Sequence, residues 1–440
     1  MKQPQLTIPP ELRKRILFTI FMLIIYRLGV AVPTPGVNST AVFDFFKQNS
    51  GSLFGLFNTF TGGALSRFSI FALGIMPYIS AAIIFELLQT AVPQLEQLRK
   101  EGEQGRKKIT QYTRYATVLL AIVQGYAMAS WLLRSPTSGQ PIISMPYFGV
   151  HFLSFHVMTI ITLTAGTTFL MWVGEQIDDR GVGNGASLII FAGIAAGIPG
   201  GTMRFWKMVS SGEMSLLIAL LLLVGMVAVI AVIVFLEVGQ RRLPIQYSQR
   251  GPGRMAMQTP SSFLPLKINF ANVIPPIFAS SLLLFPATMA QFIHASWMQN
   301  LKNSITPTGG IYNIIYVILI VFFCYFYTEI AFNPTEVSDN LKKWGGFIPG
   351  IRAGRSTTEY IVTVLNRLTT AGAIYLSAVC VLPIMLFQYV HVPFYFGGTT
   401  LLILVGVALD TSQQIQSHMI TARYENVMKG VKFRSRRIQY

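Results

Sequence analysis

The chain has 440 residues, 52% of them hydrophobic and only 12% charged, with a formal net charge of +17. Its apolar runs recur at about thirty- to forty-five-residue intervals, which excludes a soluble single-core domain and points to an all-α polytopic membrane protein. Two cysteines, Cys324 and Cys380, each lie inside an apolar run, so neither a disulfide framework nor a spaced zinc site is indicated.

A transmembrane helix needs about 20 apolar residues. Ten runs qualify, at about 16–32, 72–92, 115–133, 152–173, 184–199, 215–238, 270–293, 311–331, 369–387 and 399–419. An even count puts both termini on one side. With that side cytoplasmic, 27 of the 34 Lys and Arg fall in the N-terminal tail, the even-numbered loops and the C-terminal segment, six fall opposite, and Arg27 lies within the first run. The bias orients both termini to the cytoplasm. No small-residue cleavage site follows the first run, so it is expected to be retained.

In chain order, Pro9-Pro10 precede Glu11-Leu12-Arg13-Lys14-Arg15, a basic turn suited to the membrane surface. Arg27 is then either a functional intramembrane charge or one that snorkels or pairs within the bundle. The stretch Ser52–Ser80 is apolar apart from Arg67, but Thr61-Gly62-Gly63 interrupts it and Gly74 and Pro77 punctuate its second half. Two helical pieces are expected, a short one around Leu65 and a second from about Leu73 to Val92. Lipid cannot satisfy free peptide groups, so protein or a water-filled cavity must surround such a break.

After Pro93, six basic residues from Arg99 to Arg114 mark a cytoplasmic loop, there for topology or for contact with a ribosome or another acidic partner. In GEQIDDRGVGNGAS, Gly181, Gly183 and Ala186 formally satisfy G-x-G-x-x-A, but no strand precedes them and an apolar run follows. A tight hinge is the reading, not a dinucleotide site. From Glu237 to Lys267 runs a long Gly/Pro-rich loop with Arg241, Arg242, Arg250 and Arg254, whose Val, Leu and Tyr residues suit a short hairpin. A second such loop, Asn333 to Arg367, carries Lys342, Lys343, Arg352 and Arg355. Two protrusions on one face make a docking platform. The run at 270–293 holds Asn269 at its edge, Pro275-Pro276 and Pro286, an interruption like that of the second run. Five spans followed by five in opposite orientation would be an inverted repeat, residues 1–208 and 209–440. The tail, with Lys429, Lys432, Arg434, Arg436 and Arg437, suits anionic lipids or a partner.

No phosphate loop, H-E-x-x-H, G-x-S-x-G or Cys/His cluster occurs, so no enzyme, cofactor or metal is expected. The acids in or beside the runs are Glu86, Glu237, Glu329 and Asp410, groups an ion-coupled transporter would use as relays. Glu237 and Glu329 lie near cytoplasmic ends, where exposure to water accounts for them.

The stretches FNTFTGGALSRFSIFALGIMPYIS, KKITQYTRY, GEQIDDRGVGNGAS, EVGQRRLPIQY, VIPPIFASSLLLFPAT, FNPTEVSDNLKK, GGFIPGIRAG and VPFYFGGTTLLI occur in this order over about residues 54–404. In them the chain resembles the SecY family, the channel subunits of the bacterial Sec translocon. The resemblance implies ten helices in two pseudo-symmetric five-helix halves around an hourglass pore in the plasma membrane. A short plug helix maps to about Phe57–Arg67, with Phe57, Phe60, Gly62, Gly63, Leu65 and Arg67. A pore ring maps to Ile75, Ile79, Ala186, Ile190, Ile277 and Ile403, although relatives often have Ile where Ala186 stands. The i,i+4 spacing of 75/79 and 186/190 independently puts each pair on one helix face. A lateral gate maps to helices bearing Ser80, Glu86, Asn269 and Phe285. Docking of the motor ATPase SecA or the ribosome maps to Arg241, Arg242, Arg352 and Arg355. The implied partners are SecE, SecG, SecA, the ribosome, signal sequences and unfolded polypeptides. An apolar constriction dewets and blocks ions yet yields to any polypeptide. An ion-coupled transporter also uses broken helices, but it would line its midplane with polar groups; a scaffold that only docks soluble partners does not explain the breaks.

Overall fold

The computed structural model describes residues 9–48, 53–134, 153–247, 262–289, 310–390 and 398–430. It is built almost wholly of helices: α1 (Pro10–Val30), α2 (Ser39–Gln48), α3 (Leu53–Phe60), α4 (Met76–Ala91), α5 (Pro93–Lys100), α6 (Glu103–Arg134), α7 (Leu153–Arg180), α8 (Gly185–Ser210) and α9 (Leu216–Val238) precede a strand pair. Strands β1 (Gln240–Tyr247) and β2 (Ser262–Lys267) are followed by α10 (Ile274–Met289), α11 (Gly310–Ala331), α12 (Pro334–Lys343), β3 (Gly346–Phe347), α13 (Arg355–Val390) and α14 (Gly398–Gly430). Each apolar run falls largely on a helix. Among the described residues, six helices are long and apolar enough to cross a membrane, or seven if α4 and α5, bent by 98° at Val92, count as one span. Three others fall short: α1 carries Arg13, Lys14, Arg15 and Arg27, the described apolar part of α10 is only Ile274–Leu283, and α14 turns polar from Asp410 onward.

Several helices outrun their apolar segments. α6 begins at Glu103, well before residue 115, because its basic first turns are solvated on a helix and Lys107 pairs with Glu103. α13 begins at Arg355, so much of the expected second loop is ordered as α12, β3 and the start of α13. The prolines Pro275 and Pro276 stand in the first turn of α10, where a missing N–H costs nothing. The interruption of that run therefore lies ahead of the helix, at residues 268–273.

The short helix expected around Leu65 is instead α3, which ends at Phe60. Residues 61–75 are a succession of turns, with Gly62, Gly63 and Gly74 at φ +65°, +86° and +59°. These left-handed positions suit glycine and stop a helix, so Leu65 lies in the turns and α4 starts three residues later than expected, at Met76. The break is wrapped in protein: Ala64, Leu65, Phe68, Ser69 and Ala72 have no exposed surface.

The all-α expectation also needs an addition. β1 pairs antiparallel with β2, from Gln240 opposite Lys267 to Ile245 opposite Ser262, which is the hairpin the loop composition suggested. β3, from the other protrusion, pairs with the far end of β1, Tyr247 opposite Gly346. Leu243 and Ile245 alternate inward, and Leu243 packs with Leu266 and Val364 in a small core of its own. The two protrusions are thus one three-stranded unit.

Candidate functional site

The main core gathers Ile75, Ile79, Ile190, Ile277 and Ile403, all buried, with Ala186 half-buried against it. They come from α4, α8, α10 and α14. Ile75 sits at the N-terminal boundary of α4, directly after the turn at Gly74, and accepts the Ile79 amide at 3.1 Å, so both side chains share one face. The hinge before α8 is locked by side chains: Asp178 Oδ1 accepts from the Gly185 amide at 2.7 Å, and Asn184 caps the helix by accepting from Ser187 at 3.0 Å. Gly174 and Gly185 let α7 and α8 touch, since a Cβ on Gly185 would overlap the Gly174 carbonyl. A Cβ on Gly174 would stand 3.7 Å from both Ile75 Cδ1 and the Ala186 nitrogen, so Gly174 lies against both residues.

Helix α3 packs on α8 and α10. Phe57, Phe60 and Leu65 enter the same core, while Arg67 is exposed. The turns fold back on the helix: Asn58 Oδ1 accepts from the Ser66 amide at 2.8 Å, and the Asn58 carbonyl from the Gly63 amide at 2.8 Å. Arg27 reaches this segment, its Nη1 donating to the Gly62 carbonyl at 3.0 Å beside a Tyr26 hydroxyl that donates to the Thr61 carbonyl at 3.1 Å. Charge inside an apolar run was the only sequence signal for that contact.

Ser80 and Glu86 are half-buried on α4, which packs against α10, with the Ser281 hydroxyl 3.8 Å from Met76 sulfur. Phe285 belongs to α10, its side chain outside the described residues. Asn269 is buried on the turn ahead of α10 and faces α9, donating to Glu237 Oε1 at 2.8 Å and to the Asn272 carbonyl at 2.9 Å. Glu237 is therefore not a water-exposed acid: it is 6% exposed. The start of the turn folds over the end of α9, where the Ile268 amide bonds the Gly239 carbonyl at 3.0 Å. Asn272 in turn donates to Asp410 at 3.3 and 3.4 Å. Among the described residues, no cluster of His, Cys, Asp and Glu is arranged to hold a metal ion.

On the three-stranded unit Arg241 and Arg242 are exposed, the Arg242 guanidinium lying 4.8 Å over the Phe263 ring. Arg352 is exposed, its carbonyl accepting from the Thr357 hydroxyl at 3.0 Å. Arg355 pairs with Glu359 at 3.2 Å on the surface. Trp344, 71% exposed, and Phe347 add exposed apolar surface to this second protrusion that sequence reasoning did not single out. Arg250, Arg254 and residues 431–440 lie outside the described residues, and so does the side chain of Lys429.

The family model described as SecY matches residues 69–412. The protein translocase subunit SecY of Pseudomonas aeruginosa is 48% identical over 425 residues, covering 95% of this chain and 93% of that protein. That of Aquifex aeolicus is 44% identical over 422 residues, 95% and 97% of the two chains. Among solved structures, one described as a protein conducting channel aligns with a TM-score of 0.68 at 16% identity, over 94% of this chain and 95% of the other. Sec61 in a canine ribosome-channel complex aligns at 0.64 and 15%, with the same coverage. At such identities the structures speak for the fold, and the bacterial relatives speak for descent: the chain belongs to the SecY family.

Proposed function

We propose that the chain is the protein-conducting channel subunit of a bacterial translocon, a conduit with no catalytic centre of its own. The observation that supports this reading is that Ile75, Ile79, Ile190, Ile277 and Ile403, from four helices, are all buried in one apolar core against which α3 also packs. In this reading ten helices cross the plasma membrane in two inverted halves, residues 1–208 and 209–440, with both termini cytoplasmic. The aliphatic ring with Ala186 is the waist, and the segment 57–67 is a plug seated on it. Such a waist excludes ions by dewetting and parts around an unfolded chain. The seam where α4 meets α10, with Ser80, Glu86 and Phe285, is the lateral exit for signal sequences and transmembrane segments; Asn269, turned to α9, steadies the entry to α10. SecE and SecG complete the channel. The three-stranded unit with Arg241, Arg242, Arg352 and Arg355 receives SecA or the ribosome, which supplies the energy, and the basic tail meets anionic lipids.

Reconstitution with SecE and SecA tests the reading: ATP-dependent uptake of a secretory precursor is expected, and its absence overturns the channel assignment. Replacing Ile75, Ile79 and Ile190 together with Ser is expected to raise ion conductance in planar bilayers while precursor transport persists. Unchanged conductance would remove these residues from the waist. Arg352→Glu is expected to abolish SecA-driven uptake but not insertion of the channel itself, and normal uptake would exclude it from docking.

A further inference from the structure

We propose that Arg27 and Tyr26 of α1 form a latch that holds the plug segment in its seat. The inference rests on reading residues 57–67 as the plug, and it gives the one charge inside the first apolar run a task. A snorkelling arginine would carry its guanidinium to the membrane surface. Arg27 instead aims inward: Nη1 donates to the Gly62 carbonyl at 3.0 Å, and among the described residues it forms no ion pair. One residue earlier, Tyr26, 1% exposed, donates its hydroxyl to the Thr61 carbonyl at 3.1 Å. Adjacent residues of α1 thus bind adjacent carbonyls just beyond the C-terminal end of α3.

The Thr61 carbonyl also accepts the Ala64 amide at 3.3 Å, whereas the Gly62 carbonyl takes its bond from Arg27. The carbonyl end of a helix carries partial negative charge and attracts cations, and lipid-depth carbonyls without partners are costly. The seat is shaped to admit them. Gly62 adopts φ +65°, and a Cβ there would come within 2.6 Å of Gly193 Cα and 2.8 Å of Arg27 Nη1, so only glycine lets the backbone approach α8 and the guanidinium together. The rest of the turn segment is tied to the same end of α1: Phe71 fills the space beside Gly29, the Ile70 amide bonds the Val32 carbonyl at 3.0 Å, and the Thr34 amide the Phe68 carbonyl at 2.8 Å. The backbone bonds fix the hinge, whereas the two side-chain bonds hold the part that must move. Withdrawing the plug strips the guanidinium of its carbonyl, and that loss opposes opening.

The test measures ion leak through the full chain, with its partner subunits, in liposomes of phosphatidylethanolamine and phosphatidylglycerol. Arg27→Leu is expected to raise basal leak by roughly tenfold or more, the change produced by losing one charge-assisted hydrogen bond. Tyr26→Phe, which keeps the ring stacked on Phe71, is expected to raise it a few-fold. Both effects should vanish in a chain lacking residues 57–67, which leaks already. Parent-level leak in both variants overturns the latch, and so does a rise of equal proportion in the plug-deleted chain, which would mean that α1 acts elsewhere. If the deletion alone leaves leak unchanged, it is the plug reading that fails, and the latch falls with it.

Discussion

The chain enters two of its central helices, α4 and α10, through irregular segments, residues 61–75 and 268–273, and the two are held by groups of opposite charge. The first presents carbonyls to Arg27 and Tyr26. The second presents asparagine side-chain amides to carboxylates: Asn269 Nδ2 to Glu237, and Asn272 Nδ2 to Asp410. Each contains one of the two non-glycine residues with positive φ among the described residues, Phe68 at 46° and Asn272 at 50°. The difference teaches that a break among packed helices can be tied down in two ways: donors from a neighbouring helix satisfy its backbone carbonyls in the first, whereas the side chains of the second reach out to carboxylates on α9 and α14. The surroundings differ too. The first break is buried in apolar packing, while the second continues the β1–β2 pairing through the bond from Ile268 to Gly239. Backbone pairing therefore joins the three-stranded unit to the turn ahead of α10, and among the described residues no strand of that unit pairs with the break before α4.

Substitutions can sharpen or break this comparison. The largest effect is expected for Phe68→Gly. Losing a fully buried aromatic costs about 4 kcal/mol, of which relief of the left-handed conformation returns about 1, a net loss near 3 kcal/mol in thermal unfolding in detergent. A neutral result would show that the first break does not depend on packing. Glu237→Leu is next, at about 2 kcal/mol, because it leaves the Asn269 amide buried with a single partner. Glu237→Gln keeps an acceptor oxygen and is expected to lose less than half as much, so equal losses would show that the acceptor is not what holds the turn. The smallest change is expected for Asn272→Gly: relief of φ +50° offsets the long bonds to Asp410, and stability stays within about 0.5 kcal/mol. A loss comparable to that of Phe68→Gly would mean the two breaks are held in the same way.

The apolar runs were legible because hydropathy is a local property, and the break at Thr61-Gly62-Gly63 was legible because glycine declares left-handed turns. The position of the short helix was not. Leu65 is as apolar as Leu53 and Phe60, and only the turns at Gly62 and Gly63 decide on which side of the break the helix lies. Glu237 was misjudged for a related reason. Near the end of an apolar helix an acid normally meets water, and its burial depends on a hairpin and a turn some thirty residues downstream. The positions proposed for the waist came from the resemblance, with spacing supporting only the 75/79 and 186/190 pairs.

Composition and hydropathy by themselves determined a polytopic helical membrane protein, because transfer to lipid acts on short segments one at a time, and the ordered motifs carried the resemblance to the SecY family. Only the tertiary structure decided the partners of Arg27 and Glu237, the union of two protrusions through β1 and β3, and the burial of aliphatic residues from four helices in one core. Those depend on which distant groups must satisfy one another once water is excluded, and nothing local in the chain records that.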